Sequence, residues 1–443
     1  MNSLFRTERM PISRRTFLKG MGASALMSQV GWATASTAVS DYRALVCIYL
    51  NGGNDGFNTL VPTNDAHYEE YANIRKHLAI PQANLLTTSL SGRDRAGNTV
   101  ELGLHPSMEG LKALCDRGYV TGLLNCGVLK RPMTVADQGA EPDMLFSHNS
   151  QTYEWLRGDA INKSLSSGWG SRLMAQLSQQ SDIPPMYSFA GQSRLFRGPD
   201  KANSLSASGA QTITMRSFIK NRYIQTLDNE RPDPFREHFR GIMRDSIYAS
   251  QTVNGVISGA ANATLAADSE NPLSLQLDAT LKFINSRESL TQNRQIFFLN
   301  LGGFDTHANQ VSSHEELLSQ FSRAVKNFYD LLDEQGLSSK VTTVTLSDFG
   351  RRIIPNATGT DHGWGNNQFV ISGAPMAGTT VGTWPSLVPR GEDDFSAGRL
   401  LPTTSVDQIG ATLARWMGVA EADLQAVFPN IANFTPKELP LFS

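Results

Sequence analysis

The sequence predicts an α/β fold around a mostly parallel sheet, on three observations. Apolar runs of strand length and little charge recur along the chain, at Arg43–Leu50, Tyr119–Leu124, Gln295–Leu301 and Val341–Leu346; such runs suit strands covered on both faces. The last two flank a segment of helical period, a β-α-β unit whose strands run parallel with a right-handed crossover. Several runs end in an acidic residue or a histidine, at the sheet edge where open parallel sheets bind ligands.

Composition narrows the function classes. The chain has 443 residues, 40% hydrophobic and 18% charged, with a formal net charge of −2. No Lys/Arg run lies beyond the N-terminus, so nothing argues for nucleic acid or an anionic membrane as partner. Cys47, Cys115 and Cys126 form no Cys-x-x-Cys pair, which predicts three buried thiols rather than a haem, iron–sulfur or zinc-ribbon site. The N-terminal SRRTFLKGMGASALMSQVGWATASTA has the three-part layout of an export signal. Ser13–Lys19 resembles the twin-arginine motif, Gly20–Trp32 is modestly apolar, and Ala33-Thr34-Ala35 or Ser36-Thr37-Ala38 offers a cleavage site. Residues 1–38 are therefore expected to be a twin-arginine signal peptide, with the twin-arginine translocase as an export partner and a periplasmic or secreted destination. The segment is too short, and too rich in Gly, Ser and Ala, for a stable membrane span.

Residues 41–443 are expected to form a single α/β domain. Arg43–Leu50 is its first strand, broken by Asn51-Gly52-Gly53-Asn54-Asp55-Gly56. His105-Pro106 opens a helix to about Asp116, with Met108, Leu111, Leu114 and Cys115 on one face and Gly118 as its stop. Tyr119–Leu124 is a strand followed by a long polar loop ending in FSHNSQTYEWLRGD. From about 181 to 272 the signals weaken, and this region is expected to be a mostly helical insertion or cap. The strand Gln295–Leu301 leads to a capping box at Ser313-His314-Glu315-Glu316. That box would start a helix with Leu317, Phe321, Val325 (or Ala324), Phe328 and Leu332 on one face, ended by Gly336. Val341–Leu346 and Gln368–Ile371 are further strands, and Ser405-Val406-Asp407-Gln408 caps a last helix through Met417, stopped by Gly418.

Strand exits then carry the candidate site. Asp55 follows the first strand, Asp305 and His307 a later one, Asp348 its parallel neighbour, and His362 lies in a glycine-flanked loop beyond. Carboxylates gathered at one edge repel one another unless a divalent cation holds them ionised. Oxygen and imidazole donors suit zinc, manganese or iron, and carboxylate-rich subsets suit magnesium or calcium. Taken singly, each residue also reads as an ordinary turn, cap or solvated side chain; the coincidence at several exits favours a site.

NGGNDGFNTLVP, LHPSMEGL, GGFDTHANQ, LSDFGRRIIPNATGTDHGWGN and ATLARWMGV resemble a bacterial, twin-arginine-exported family, domain of unknown function 1501, grouped with the alkaline phosphatase and sulfatase superfamily. The resemblance covers about Asp41 to Val419. It implies a three-layer α/β/α sandwich, alkaline phosphatase-like, with a helical or loop insertion and metal ligands at the C-terminal sheet edge. It implies metal roles for Asp55, Asp305, His307, Asp348 and His362, and a Ser, Thr or Cys nucleophile. Ser147 is the candidate, with Thr59 as second choice; Ser147 also suits the N-cap of the helix that follows. Arg351 and Arg352, or backbone N–H groups of Asn51-Gly52-Gly53, would hold an anion. Two departures stand out: Asp348 is followed by Phe349 where an imidazole is usual, and Asp305 and His307 are only two apart. The expected function is hydrolysis of small-molecule or glycan phosphate or sulfate esters; the alternative is a non-catalytic metal-binding pseudoenzyme with a ligand-binding or structural role in the cell envelope.

Overall fold

The apolar runs become the middle of one sheet. The structure is a computed structural model that describes residues 41–443 except 138, 178–180, 182, 200–201, 206–233 and 260–261; the expected signal peptide, 1–38, lies outside the described residues. Among them the strands are β1 (Arg43–Asn51), β2 (Leu60–Pro62), β3 (Leu86–Arg93), β4 (Thr99–Leu104), β5 (Val120–Gly127), β6 (Met186–Ser188) and β7 (Asn203–Ser204), followed by β8 (Arg294–Gly302), β9 (Val341–Ser347), β10 (Asn366–Ser372), β11 (Thr380–Gly382), β12 (Asp394–Ser396), β13 (Arg399–Leu400) and β14 (Thr404–Ser405). Nine of them make the central sheet, in the order β11-β5-β10-β9-β1-β8-β6-β7, with β14 also on β5. All pair in parallel except β10, which runs against both β5 and β9. A separate small antiparallel sheet, β2-β4-β3, packs beside it, with Thr380 Oγ1 of β11 donating to Ser91 C=O of β3.

Side chains of a strand alternate between faces, and β1 shows what each face meets. Ala44, Val46, Ile48 and Leu50 pack with Leu111 and Leu114 of the helix Glu109–Asp116, Leu277 and Phe283 of Pro272–Asn285, and Phe321, Val325 and Phe328 of Gln310–Glu334. Leu45, Cys47 and Tyr49 pack on the other face with Trp155 of His148–Arg157, Leu173 of Trp169–Ala175, and Ile409 and Leu413 of Val406–Met417. The result is a mixed, mostly parallel sheet between two helical layers. Burying each such Leu, Ile or Phe contributes about 1.5–3 kcal/mol, and helices on both faces are what parallel strands require. All three cysteines are free and buried.

Three elements depart from expectation. The helix expected from a capping box at Ser313 begins earlier, at Gln310, with Asn309 at its N-cap in the left-handed region (φ 53°) and no side-chain cap. Tertiary bonds set that start: Gln310 N–H donates to Thr358 C=O, and the Gln310 side chain is buried against Asp55 and Thr360. The helix expected from His105 starts at Glu109. Within 181–272, the described residues include the helix Pro234–Ile257, and β6 adds to the central sheet by pairing with β8. The capping box at Ser405/Gln408 and the left-handed stop at Gly418 are present as expected. Among the described residues no helix is long and apolar enough to cross a membrane.

Candidate metal centre

The register brings three strand exits level. Asn51 lies opposite Gly302, and Leu50 opposite Ser347, so the chain leaves β1, β8 and β9 at one edge. Glycine is needed there because the exits touch. Gly52 (φ +118°) would place a Cβ 2.4 Å from the Asp305 backbone nitrogen, and Gly53 (φ +81°) would place one 2.6 Å from the Phe349 ring. Gly52 N–H instead donates to Asp348 Oδ1 at 3.0 Å, tying the first exit to the third. Beyond Asp348 the chain doubles back: Gly363 N–H donates to Gly350 C=O, Gly350 N–H to Trp364 C=O and Arg352 N–H to Asp361 C=O, and Arg351 faces His362 across an isolated antiparallel bridge. That return delivers Asp361 and His362 to the same edge.

Asp305 is the hub. Its Oδ1 lies 3.5 Å from His148 Nε2, 3.1 Å from His307 Nε2 and 3.4 Å from His362 Nε2, and it accepts from Arg351 Nη1 at 3.0 Å. His307 Nε2 and His362 Nε2 are 2.9 Å apart. Each imidazole has its far nitrogen against an acceptor. His148 Nδ1 is 2.6 Å from Asp348 Oδ2, His362 Nδ1 is 2.8 Å from the Phe146 carbonyl, and His307 Nδ1 is 3.3 Å from Asp361 Oδ1. A carbonyl or an ionised carboxylate only accepts, so Nδ1–H donates in each pair and the Nε2 lone pair is turned inward when the ring is neutral. This backing of a histidine by an acceptor is what orients metal-ligating imidazoles.

Donor atoms around a tetrahedral zinc, at about 2.0–2.1 Å from the ion, stand roughly 3.3 Å from one another. The Asp305 separations fall at that spacing. His148, Asp305 and His362 offer ligand atoms that all lie within 4.8 Å of one another, a set able to hold a divalent ion. His307 touches two of the three. The set fits a cation by its chemistry: nitrogen lone pairs converge on a carboxylate oxygen, and buried His148 Nε2 makes no hydrogen bond among the described residues.

The site is walled on one side and open on the other. Asp348 and Arg351 side chains are fully buried, whereas Asp305 and His307 side chains are 48% and 45% exposed. The Phe349 ring packs against His148 (centroids 4.8 Å apart) and His362 (4.6 Å). In the metal-free protein the bond to Asp348 raises the His148 pKa, against burial. Burial lowers that of His362. Burial pushes the Asp305 carboxyl up, but the Arg351 bond and the neighbouring positive charge outweigh it, so it ends low and ionised.

A family model described as protein of unknown function (DUF1501) matches residues 42–428. The chain belongs to this family. No curated protein matches its sequence. Among solved structures it is similar to the zinc-bound C-terminal periplasmic domain of EcEptC from Escherichia coli, at 10% identity over 89% of this chain and 88% of that one, TM-score 0.36. It is also similar to the PsFucS1 sulfatase from Pseudoalteromonas sp., at 11% identity over 93% and 73%, TM-score 0.34. A third is the lipoteichoic acid synthase LtaP from Listeria monocytogenes, at 8% identity over 89% and 77%, TM-score 0.33. Likeness of this depth transfers no activity.

The residues expected from this family member's sequence separate into two groups. Asp305, His307 and His362 converge. Asp348 stands behind His148, one oxygen on its Nδ1 and the other on Gly52 N–H. Asp55 is fully buried and ion-paired with Arg75, and it accepts from the Gln310 amide. Arg351 bonds Asp305, and its Nε lies 3.3 Å from Thr360 Oγ1; buried Nη2 has no partner among the described residues. Arg352 is paired with Asp361 at 2.9 Å. Ser147 occupies the N-cap position of His148–Arg157 but makes no side-chain cap bond, and it sits between two residues bonded to the site, Phe146 and His148. The Thr59 hydroxyl is buried and donates to Asp55 C=O. The Gly52 N–H expected for an anion is taken by Asp348. His148 is the residue sequence reasoning missed. Its signal was local: a histidine at the first position of a helix leaving a long loop from β5.

Proposed function

We propose that this chain is an exported, metal-dependent hydrolase of phosphate or sulfate esters. The observation that carries the reading is the convergence of three acceptor-backed imidazoles on Asp305 Oδ1 at the C-terminal edge of a parallel sheet. A divalent ion held by His148, Asp305 and His362 would supply Lewis-acid polarisation of an ester oxygen. The chain's own groups have assignable work. Asp348 holds the His148 tautomer, Phe146 C=O that of His362, and Phe349 keeps water from the inner wall. Arg351 offers Nη2–H to a substrate oxygen on the buried side. Ser147, free of a capping duty, is the proposed nucleophile. Export through the twin-arginine route rests on the N-terminal motif.

One observation favours a non-catalytic metal-binding role: Phe349 and the Asp55–Arg75 pair remove donors that a second ion would use. Metal-loaded protein assayed against phosphate mono- and diesters and sulfate esters separates the two. Turnover that is lost in Ser147→Ala supports the hydrolase. Stabilisation by metal with no turnover across the panel sinks it.

A further inference from the structure

Resting on the hydrolase reading above, we infer that the site selects esters with one negative charge, sulfate monoesters or phosphodiesters, over phosphate monoesters with two. Charges around the one ligand-spaced group among the described residues leave a surplus of one. Asp55 is matched by Arg75, both fully buried. Asp361 is matched by Arg352, and Arg399 faces Asp361 and Asp394 on the outer side. That leaves Asp305, Asp348 and Arg351, together with imidazoles that are neutral when they hold a metal. A divalent ion cancels the two carboxylates, and the Arg351 guanidinium leaves a single positive charge.

Among the described residues no second group of His, Cys, Asp and Glu has the spacing to hold a cation. Phe349, 1% exposed, presents carbon to both His148 and His362 beside Asp348. Among the described residues, His148, Asp305 and His362 form the one group of His, Cys, Asp and Glu that meets the ligand spacing. The surplus charge also has a direction: Arg351 Nη2, buried and unpartnered, is a donor awaiting an oxygen. A monoanion satisfies that donor and closes the charge balance. A dianion leaves one unmatched negative charge in a half-buried site, a cost only partly relieved by solvent on the Asp305 and His307 side.

The test is calorimetric titration of the zinc-loaded protein, its zinc content measured beforehand, with methyl sulfate, dimethyl phosphate and methyl phosphate at about pH 8, where the last is a dianion. Methyl sulfate or dimethyl phosphate should bind about tenfold or more tightly than methyl phosphate; whichever binds better names the source. Arg351→Gln should abolish the preference, and Arg351→Lys, which keeps the charge, should retain part of it. Thermal melting of both variants establishes that they fold. One zinc per chain with methyl phosphate bound equally or more tightly overturns this inference and leaves the hydrolase reading standing. Two zinc ions per chain overturn it as well. A chain that takes up no zinc overturns both.

Discussion

Two clusters of acid and imidazole lie at the same edge of the sheet and are treated in opposite ways. Around Asp55 the polar groups bond one another through Oδ2, and buried Oδ1 has no partner among the described residues. Arg75 pairs with its carboxylate, Gln310 donates to it, Arg75 Nε donates to Asn58, and His314 Nε2 donates to Asn54 at 2.9 Å. Around Asp305 the imidazoles are tied down at Nδ1 only, and their Nε2 atoms converge with nothing but one another and a carboxylate to face. The first cluster carries its counter-charge as a guanidinium within the chain. The second has Arg351 on one flank and donors to spare. A buried carboxylate thus marks a ligand site only when the chain has not already neutralised it.

The comparison breaks most sharply at the imidazoles. His148→Ala and His362→Ala should each abolish stoichiometric zinc binding, measured by elemental analysis after dialysis; the metal-free His362→Ala protein should lose little thermal stability, and His148→Ala more, because it takes a partner from buried Asp348. Stoichiometric zinc in both variants would place the ion elsewhere. Arg75→Ala should do the reverse. Leaving Asp55 buried and unpaired should cost about 3–5 kcal/mol of stability by denaturant unfolding, while the folded fraction keeps its zinc. A milder Arg75→Lys should show the same sign if the alanine variant fails to fold. Next in size is Asp348→Ala, which removes the acceptor behind His148 and should weaken zinc binding about 10–100-fold; an unchanged affinity would mean that Asp348 does not orient the ligand.

The smallest effect is on protons. In metal-free protein, His314 is pushed down to about 3 and His105 to about 4 by burial, so neither should titrate by NMR above about pH 5. His148 should titrate above the ordinary imidazole value and His362 below it. The sign follows from linkage. His148, raised in the folded state, contributes stability that is fully present below its unfolded pKa and is lost as pH rises through the folded one. His148 titrating below His362 would contradict the Asp348 bond.

Much of this was legible in the chain. Strand-length apolar runs gave the sheet, because parallel strands are apolar on both faces and their helices obey the 3.6-residue period. Asp305, His307 and His362 were legible because glycine-rich exits single out the sheet edge. What was not legible depended on partners far away in sequence. Asp55 reads as a bare carboxylate at a strand exit, whereas Arg75, 20 residues on, is paired with it. His148 reads as a residue next to a serine until Asp348, 200 residues on, fixes its ring. Ser313-His314-Glu315-Glu316 reads as a helix start, but the bonds of Gln310 to Asp55 and Thr358 move that start upstream. A strand shows its own pattern, whereas a charge shows only half of its pair.

The central claim is that one divalent ion belongs at Asp305 rather than at Asp55. Anomalous diffraction at the zinc edge from zinc-loaded crystals tests it most directly. The account predicts a single peak per chain within bonding distance of His148 Nε2, His362 Nε2 and Asp305 Oδ1. A peak against Asp55, or none at saturating zinc, would contradict it.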